Sequence, residues 1–209
     1  MTTPFRDQRG YTVAEMLVTA AVIAFVMAGL LSLLVSGQQS YTTGAGRAEA
    51  QQNARLVVER MLRELRTAGH DPLATASFAA VTALGAGVGF IIQNDWNQSG
   101  AIDAAIATTV DNVQHGERIT YTFAGTTLTR QESVVDAAAV TVTDRISGMT
   151  VTYRDINDNI ITAALAAGAN AADVRTVEVD ITTQPDFTVS GTVSQVAVRS
   201  QNRVRIRNR

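Results

Sequence analysis

One carboxylate stands where a carboxylate is costly. Glu15 lies one helical turn into an apolar segment, and residues 16–35 carry no charge at all. A charged side chain at mid-membrane costs about 2.5 to 3.5 kcal/mol and less near the interface, so an acid kept there marks a functional group. A second set of oxygens is Asp95, Asn97, Ser99 and Asp103, with Gly100 at the sixth place of the loop. Ligands on alternate residues with a glycine at the turn let a chain wrap a hard cation such as calcium. The twelfth place is Ile106, so the bidentate carboxylate is missing. An Asx turn is therefore the expected reading, with calcium as the alternative. Asp155-Ile156-Asn157-Asp158-Asn159 alternates in the same way but puts Ile160 where the glycine belongs, and reads as a hairpin loop.

Other chemistry finds less support. Gly85, Gly87 and Gly89 precede Phe90-Ile91-Ile92, but their spacing is wrong for a phosphate loop and they lead into a strand, so a flexible lead into a sheet is expected. His70 and His115 have no ligand cluster around them in sequence and are expected as solvated loop side chains. The chain has no cysteine, which excludes thiolate catalysis, thiolate metal sites and disulfides. No serine or threonine stands in a recognisable nucleophile setting, and the acids show no interpretable pairing; no enzyme is expected. Near the C-terminus Arg203, Arg205, Arg207 and Arg209 alternate with Val204, Ile206 and Asn208. Such a stripe suits an acidic subunit, lipid phosphates or DNA, but no aromatic residues interleave for base stacking. A charge-protected edge strand is the expected reading, and nucleic acid is not a predicted partner.

These groups need elements to hold them. At about 1.5 Å per residue, a helix over residues 16–35 spans roughly 30 Å, the hydrocarbon core of a bilayer. Arg6 and Arg9 precede it, so the positive-inside rule places the N-terminus in the cytoplasm and the rest beyond the inner membrane. A secretory signal peptide would have a shorter apolar run and a small-residue cleavage site. An ordinary signal anchor, carrying a periplasmic binding or enzymatic domain, explains the run but not Glu15.

Past Gly37, Gly44 and Gly46 the pattern turns amphipathic. Ala54, Val57, Val58, Met61, Leu62, Leu65 and Ala68 recur three and four apart among charged residues, and Gly69 and Pro72 supply the stop. One helix over about residues 11–68 is expected. Beyond it, alternating runs read as strands: Ile119, Tyr121 and Phe123, a tight Ala124-Gly125 connection to Leu128, then Val140, Val142, Met149, Val151, Tyr153, Val177, Val179, Ile181, Val196, Val198, Val204 and Ile206. Residues 163–172 read as a surface loop. All 17 basic residues are arginine, aromatics reach only 5%, and the core must rest on aliphatic side chains. The fold class is α+β, a long N-terminal helix packed on a mostly antiparallel β-sheet domain.

The segment Gly10-Tyr11-Thr12-Val13-Ala14-Glu15-Met16-Leu17-Val18 resembles the processing site of the type IV pilin and type II secretion pseudopilin superfamily. The resemblance implies a leader over residues 1–10 containing Arg6 and Arg9, cleavage between Gly10 and Tyr11 by a prepilin peptidase, and N-methylation of Tyr11. It implies that Glu15 pairs with the N-terminal amine of a neighbouring subunit, each group relieving the other's desolvation and so setting register. Tyr11 replaces the usual phenylalanine, and Ser32 stands where many major pilins carry a proline. The stretch from Gln52 to Pro72, with Glu64-Leu65-Arg66-Thr67-Ala68-Gly69-His70-Asp71-Pro72 at its end, is similar to the PilW minor pilins and in part to the J-type minor pseudopilins. The implied organisation is a membrane and assembly helix over 11–35, its amphipathic continuation over 36–69, and a periplasmic or extracellular β-rich domain over 70–209. Implied partners are other major and minor pilins and the inner membrane, in a pilus or, alternatively, a secretion system. No cofactor is implied.

Overall fold

The computed structural model describes residues 10–74, 78–84, 88–161, 172–184 and 197–208. Arg6, Arg9, Gly85, Gly87, Val196, Arg209 and nearly all of the 163–172 loop lie outside the described residues. The chain divides into two compact units, Met1–Gly44 and Ala45–Arg209.

Helix α1 runs Val13–Thr67, within two residues of the expected ends and unbroken at Gly37, Gly44 and Gly46. In the first unit its apolar side chains are exposed throughout.

In the second unit the last part of α1 buries Ala54, Val57, Val58, Met61, Leu62 and Leu65, the stripe expected from the three-four spacing. The stripe begins earlier than the sequence indicates, because Gly46 and Ala50 are also buried. Residues this small carry little hydropathic signal. Their value is close approach, and the Thr183 hydroxyl donates to the Ala50 carbonyl at 2.7 Å. Each Val, Leu or Met buried here contributes about 1.5 to 3 kcal/mol.

The helix ends by handing its backbone to the sheet. Gly69 adopts φ +76°, a left-handed conformation that glycine accepts without a Cβ clash. Its amide donates to the Gln93 carbonyl at 2.9 Å, and the Asn208 side-chain amide donates to the Thr67 carbonyl at 3.1 Å.

Among the described residues ten strands follow: β1 (Val81–Ala83), β2 (Val88–Gln93), β3 (Ala107–Val110), β4 (Val113–Gly116), β5 (Arg118–Ala124), β6 (Thr127–Glu132), β7 (Val140–Thr143), β8 (Ile146–Arg154), β9 (Thr176–Thr183) and β10 (Val198–Arg205). Every pairing is antiparallel, as expected. The strands do not form one sheet, however. They divide into a five-stranded sheet ordered β1-β2-β5-β6-β7, a three-stranded sheet ordered β10-β9-β8, and the β3-β4 hairpin. Alternation tells which face of a strand is buried; it does not tell which strand lies beside it.

The β5-β6 hairpin pairs Ala124 with Thr127 around the expected tight turn. The β3-β4 hairpin was not legible from alternation. It turns on Asp111 and Asn112, both at positive φ, the conformation that Asp and Asn tolerate best after glycine. Gly89 corrects the expectation of a flexible lead. It lies within β2, and a Cβ there would meet the Tyr121 carbonyl oxygen at 2.1 Å. The side chain is absent so that β2 and β5 can close.

Helix and sheet are also joined by charge. Arg130 on β6 is 9% exposed; its Nε donates to Glu64 Oε1 at 2.9 Å, Nη2 to Glu132 Oε2 at 2.6 Å and Nη1 to Asp136 Oδ2 at 3.0 Å. The Tyr121 hydroxyl donates to Glu64 Oε2 at 2.8 Å. Burial works against the guanidinium's charge, but the bonds and fields of Glu132 and Glu64 outweigh it and hold the group above its ordinary pKa. Burial and the Glu64 carboxylate push the Tyr121 phenol well up.

Candidate functional site at the start of the helix

The start of α1 is organised by two side chains. Thr12 immediately precedes the first helical residue. Its hydroxyl accepts from the Glu15 amide at 3.3 Å. In return Glu15 Oε2 accepts from the Thr12 amide at 2.9 Å and from the Thr12 hydroxyl at 3.0 Å. Threonine followed by glutamate three residues on satisfies two otherwise unpaired amides, the arrangement known as a capping box. The negative charge also sits at the positive end of the helix dipole. The sequence reading assigned Glu15 no partner within its own chain, although Thr-x-x-Glu ahead of an apolar run is the signal for one.

The cap leaves Glu15 with capacity to spare. All of its hydrogen bonds to described residues fall on Oε2, while Tyr11 beside the cap is 83% exposed. Beyond the cap, Leu17, Phe25, Leu30 and Leu33 and their neighbours are exposed, and the segment is long and apolar enough to cross a membrane. Gly10 is exposed, with nothing among the described residues within 4 Å of where a Cβ would stand.

The oxygens of the 95–103 loop are engaged with the backbone. Buried Asp95 accepts from the amides of Ser99 at 3.1 Å and Gly100 at 2.8 Å, and Asn97 Oδ1 accepts from the Ser99 amide at 2.8 Å. The Ser99 hydroxyl donates to the Ala101 carbonyl at 3.0 Å, and Asp103 Oδ1 accepts from the Ala105 amide at 2.8 Å. A residue missed by the sequence reading completes the loop. Glu117, fully buried at the β4-β5 junction, accepts from the Asn97 amide at 3.2 Å and from the Asp103 amide at 2.6 Å. Among the described residues no group of three or more His, Asp or Glu side chains is placed to hold a metal ion. In the 155–159 loop Asp155 Oδ1 accepts from the amides of Asn157 and Asn159, both at 2.8 Å, closing a tight turn.

His70 and His115 correct an expectation. They are not free in loops but both lie against Trp96, His70 tilted with ring centroids 4.5 Å apart and His115 stacked at 4.7 Å. Far apart in sequence, they meet only because β4 and the end of α1 both lie beside the 95–103 loop.

Of the C-terminal stripe, Val204 and Ile206 are buried while Arg203, Arg205 and Arg207 are exposed, the alternation expected. Arg203 is not simply solvated. It donates to Asp158 at 3.1 Å and Glu178 at 3.2 Å.

Residues 5–31 match the family model described as the prokaryotic N-terminal methylation motif. The match supports a type IV pilin or pseudopilin precursor processed by a prepilin peptidase, and with the apolar helix it fits a membrane-anchored precursor. No curated protein matches the chain.

Proposed function

We propose that this chain is a minor pilin of the PilW type, made as a single-pass inner-membrane precursor with its N-terminus in the cytoplasm. A prepilin peptidase cuts between Gly10 and Tyr11, Tyr11 is N-methylated, and the subunit enters a type IV pilus or its initiating complex. The observation that carries this reading is the methylation motif over residues 5–31, set on the start of a helix whose apolar side chains in the first unit are exposed among the described residues. The segment from Glu64 to Pro72 favours the minor-pilin side over the secretion pseudopilins.

The chemistry at the N-terminus supports assembly as the task. Cleavage before Tyr11 creates an amine four residues ahead of Glu15. Glu15 carries its cap on one oxygen and has the other for the amine of an adjacent subunit. A pair buried among packed helices specifies register more than it adds stability. Other pilins are thus the partners proposed.

Mass spectrometry of the mature protein, after co-expression with a prepilin peptidase, tests the proposal. A chain beginning at N-methylated Tyr11 is expected. An intact Met1, or cleavage elsewhere, overturns it.

A further inference from the structure

The three-stranded sheet balances its charges from one strand to the next, and the balance stops short of its end. On its solvent face β9 presents Asp180, Glu178 and Thr176 in succession. Arg199 on β10 bonds to Asp180, Gln201 bonds to Glu178, and Arg203 bonds to Glu178 and Asp158. At the next alternate position Arg205 stands opposite Thr176, which carries no charge. Arg207 follows it, and Arg66 in the last turn of α1 joins them around a cleft of about 480 Å³. Among the described residues none of these three arginines has a carboxylate partner. The cleft is held in place from below. Val204 and Ile206 are buried in the core, the Ile206 amide donates to the Arg175 carbonyl at 2.9 Å, and Asn208 binds the end of the helix.

A second feature lies alongside. β10 is at one end of its sheet: β9 is its hydrogen-bonded neighbour, and no other described strand pairs with its far edge. Every second backbone amide and carbonyl of an edge strand points outward, ready to pair with another strand.

We infer that the outer edge of β10, with Arg66, Arg205 and Arg207, is a docking surface for an acidic extended segment of a partner protein. The segment adds to the sheet as a further strand. Its alternate carboxylates lie beside Arg205 and Arg207 as those of β9 lie beside Arg199 and Arg203, at the cross-strand distances over which opposite charges attract. Both features are then used at once. A nucleic acid would satisfy the arginines but leave the edge unpaired, and the described part of β10 offers no aromatic ring for its bases. That the partner is a neighbouring subunit rests on the function proposed above; the chemistry of the surface does not.

The test uses the full chain in zwitterionic micelles and a labelled peptide of alternating glutamate and valine, read by fluorescence anisotropy. Binding is expected, and R205Q/R207Q is expected to weaken it by about tenfold or more. A glutamine-valine peptide should bind less, and so should the acidic peptide with alternate backbone nitrogens methylated, because methylation removes the edge pairing. R55Q, at a pair on the helix surface, should leave binding unchanged, and thermal melts establish that the variants are folded. The inference is overturned if the acidic peptide does not bind, if backbone methylation has no effect, or if a single-stranded oligonucleotide or phosphatidylglycerol vesicles bind more tightly than the peptide. N-terminal processing of the same preparation is read separately by mass, so either proposal can fail without the other.

Discussion

Arg130 Nε donates to Glu64 Oε1 at 2.9 Å, joining β6 to the final turns of α1 across 66 residues of sequence. Glu132 and Asp136 hold the other two nitrogens of the same guanidinium. Breaking a buried ion pair by removing one partner costs about 3 to 5 kcal/mol, because the charges left behind stay buried. Arg130→Met, which leaves three carboxylates without their shared cation, is expected to lose stability in that range. Glu64→Gln, which keeps one acceptor oxygen for Arg130 and turns its NH2 toward the Tyr121 oxygen, which can accept in turn, should lose less. Urea denaturation of the micelle-embedded chain measures both.

At the start of the helix two roles of Glu15 can be separated. Glutamine also serves in a capping box, whereas alanine does not. Glu15→Gln is expected to retain the slow amide exchange of the first helical turn and yet fail to assemble with other pilins. Glu15→Ala is expected to lose both, and Thr12→Val to lose protection of the cap alone. Assembly by Glu15→Gln at the wild-type level would remove charge pairing from the proposed function.

Glu178 makes the β9-β10 pairing sensitive to acid. The Gln201 hydrogen bond is the main cause of its lowered pKa; burial opposes the shift, and bonds to Arg203 and Arg154 add to it. A group whose folded pKa lies below its unfolded one contributes fully above the unfolded value, here the ordinary 4.5. That contribution is lost as pH falls through the lower, folded value. Melting temperature should therefore decline more steeply below about pH 4.5 in the wild type than in Glu178→Gln.

Glu117 holds the 95–103 loop by two backbone amides. Orphaning a buried donor costs about 1 to 3 kcal/mol, and the Asn97 and Asp103 amides are half-buried, so Glu117→Ala should destabilise the domain within that range and alter the fluorescence of Trp96. Because Asp95, Asn97 and Asp103 already serve amides of the same loop, added calcium is expected to leave the melting temperature unchanged. A calcium-dependent rise would establish the loop as a cation site.

The sequence by itself determined what is local. The apolar run, the three-four stripe from Ala54 to Ala68, the stop at Gly69, the β5-β6 turn and the Gly10 to Glu15 signal all lie within a few residues of their own causes, since hydropathy and capping act over a turn or two. Only the tertiary structure decided which strands share a sheet, that His70 and His115 meet on Trp96, that Glu117 closes a loop some twenty residues before it, and that Arg130 finds Glu64. Each depends on chain segments brought together by the packing of the helix on the sheets, and neither periodicity nor charge specifies which distant segment that is. The arginine stripe belongs to both. Its alternation was plain from residue order, but that Arg203 is balanced while Arg205 faces Thr176 follows from the register of β10 on β9, which the backbone hydrogen bonds set.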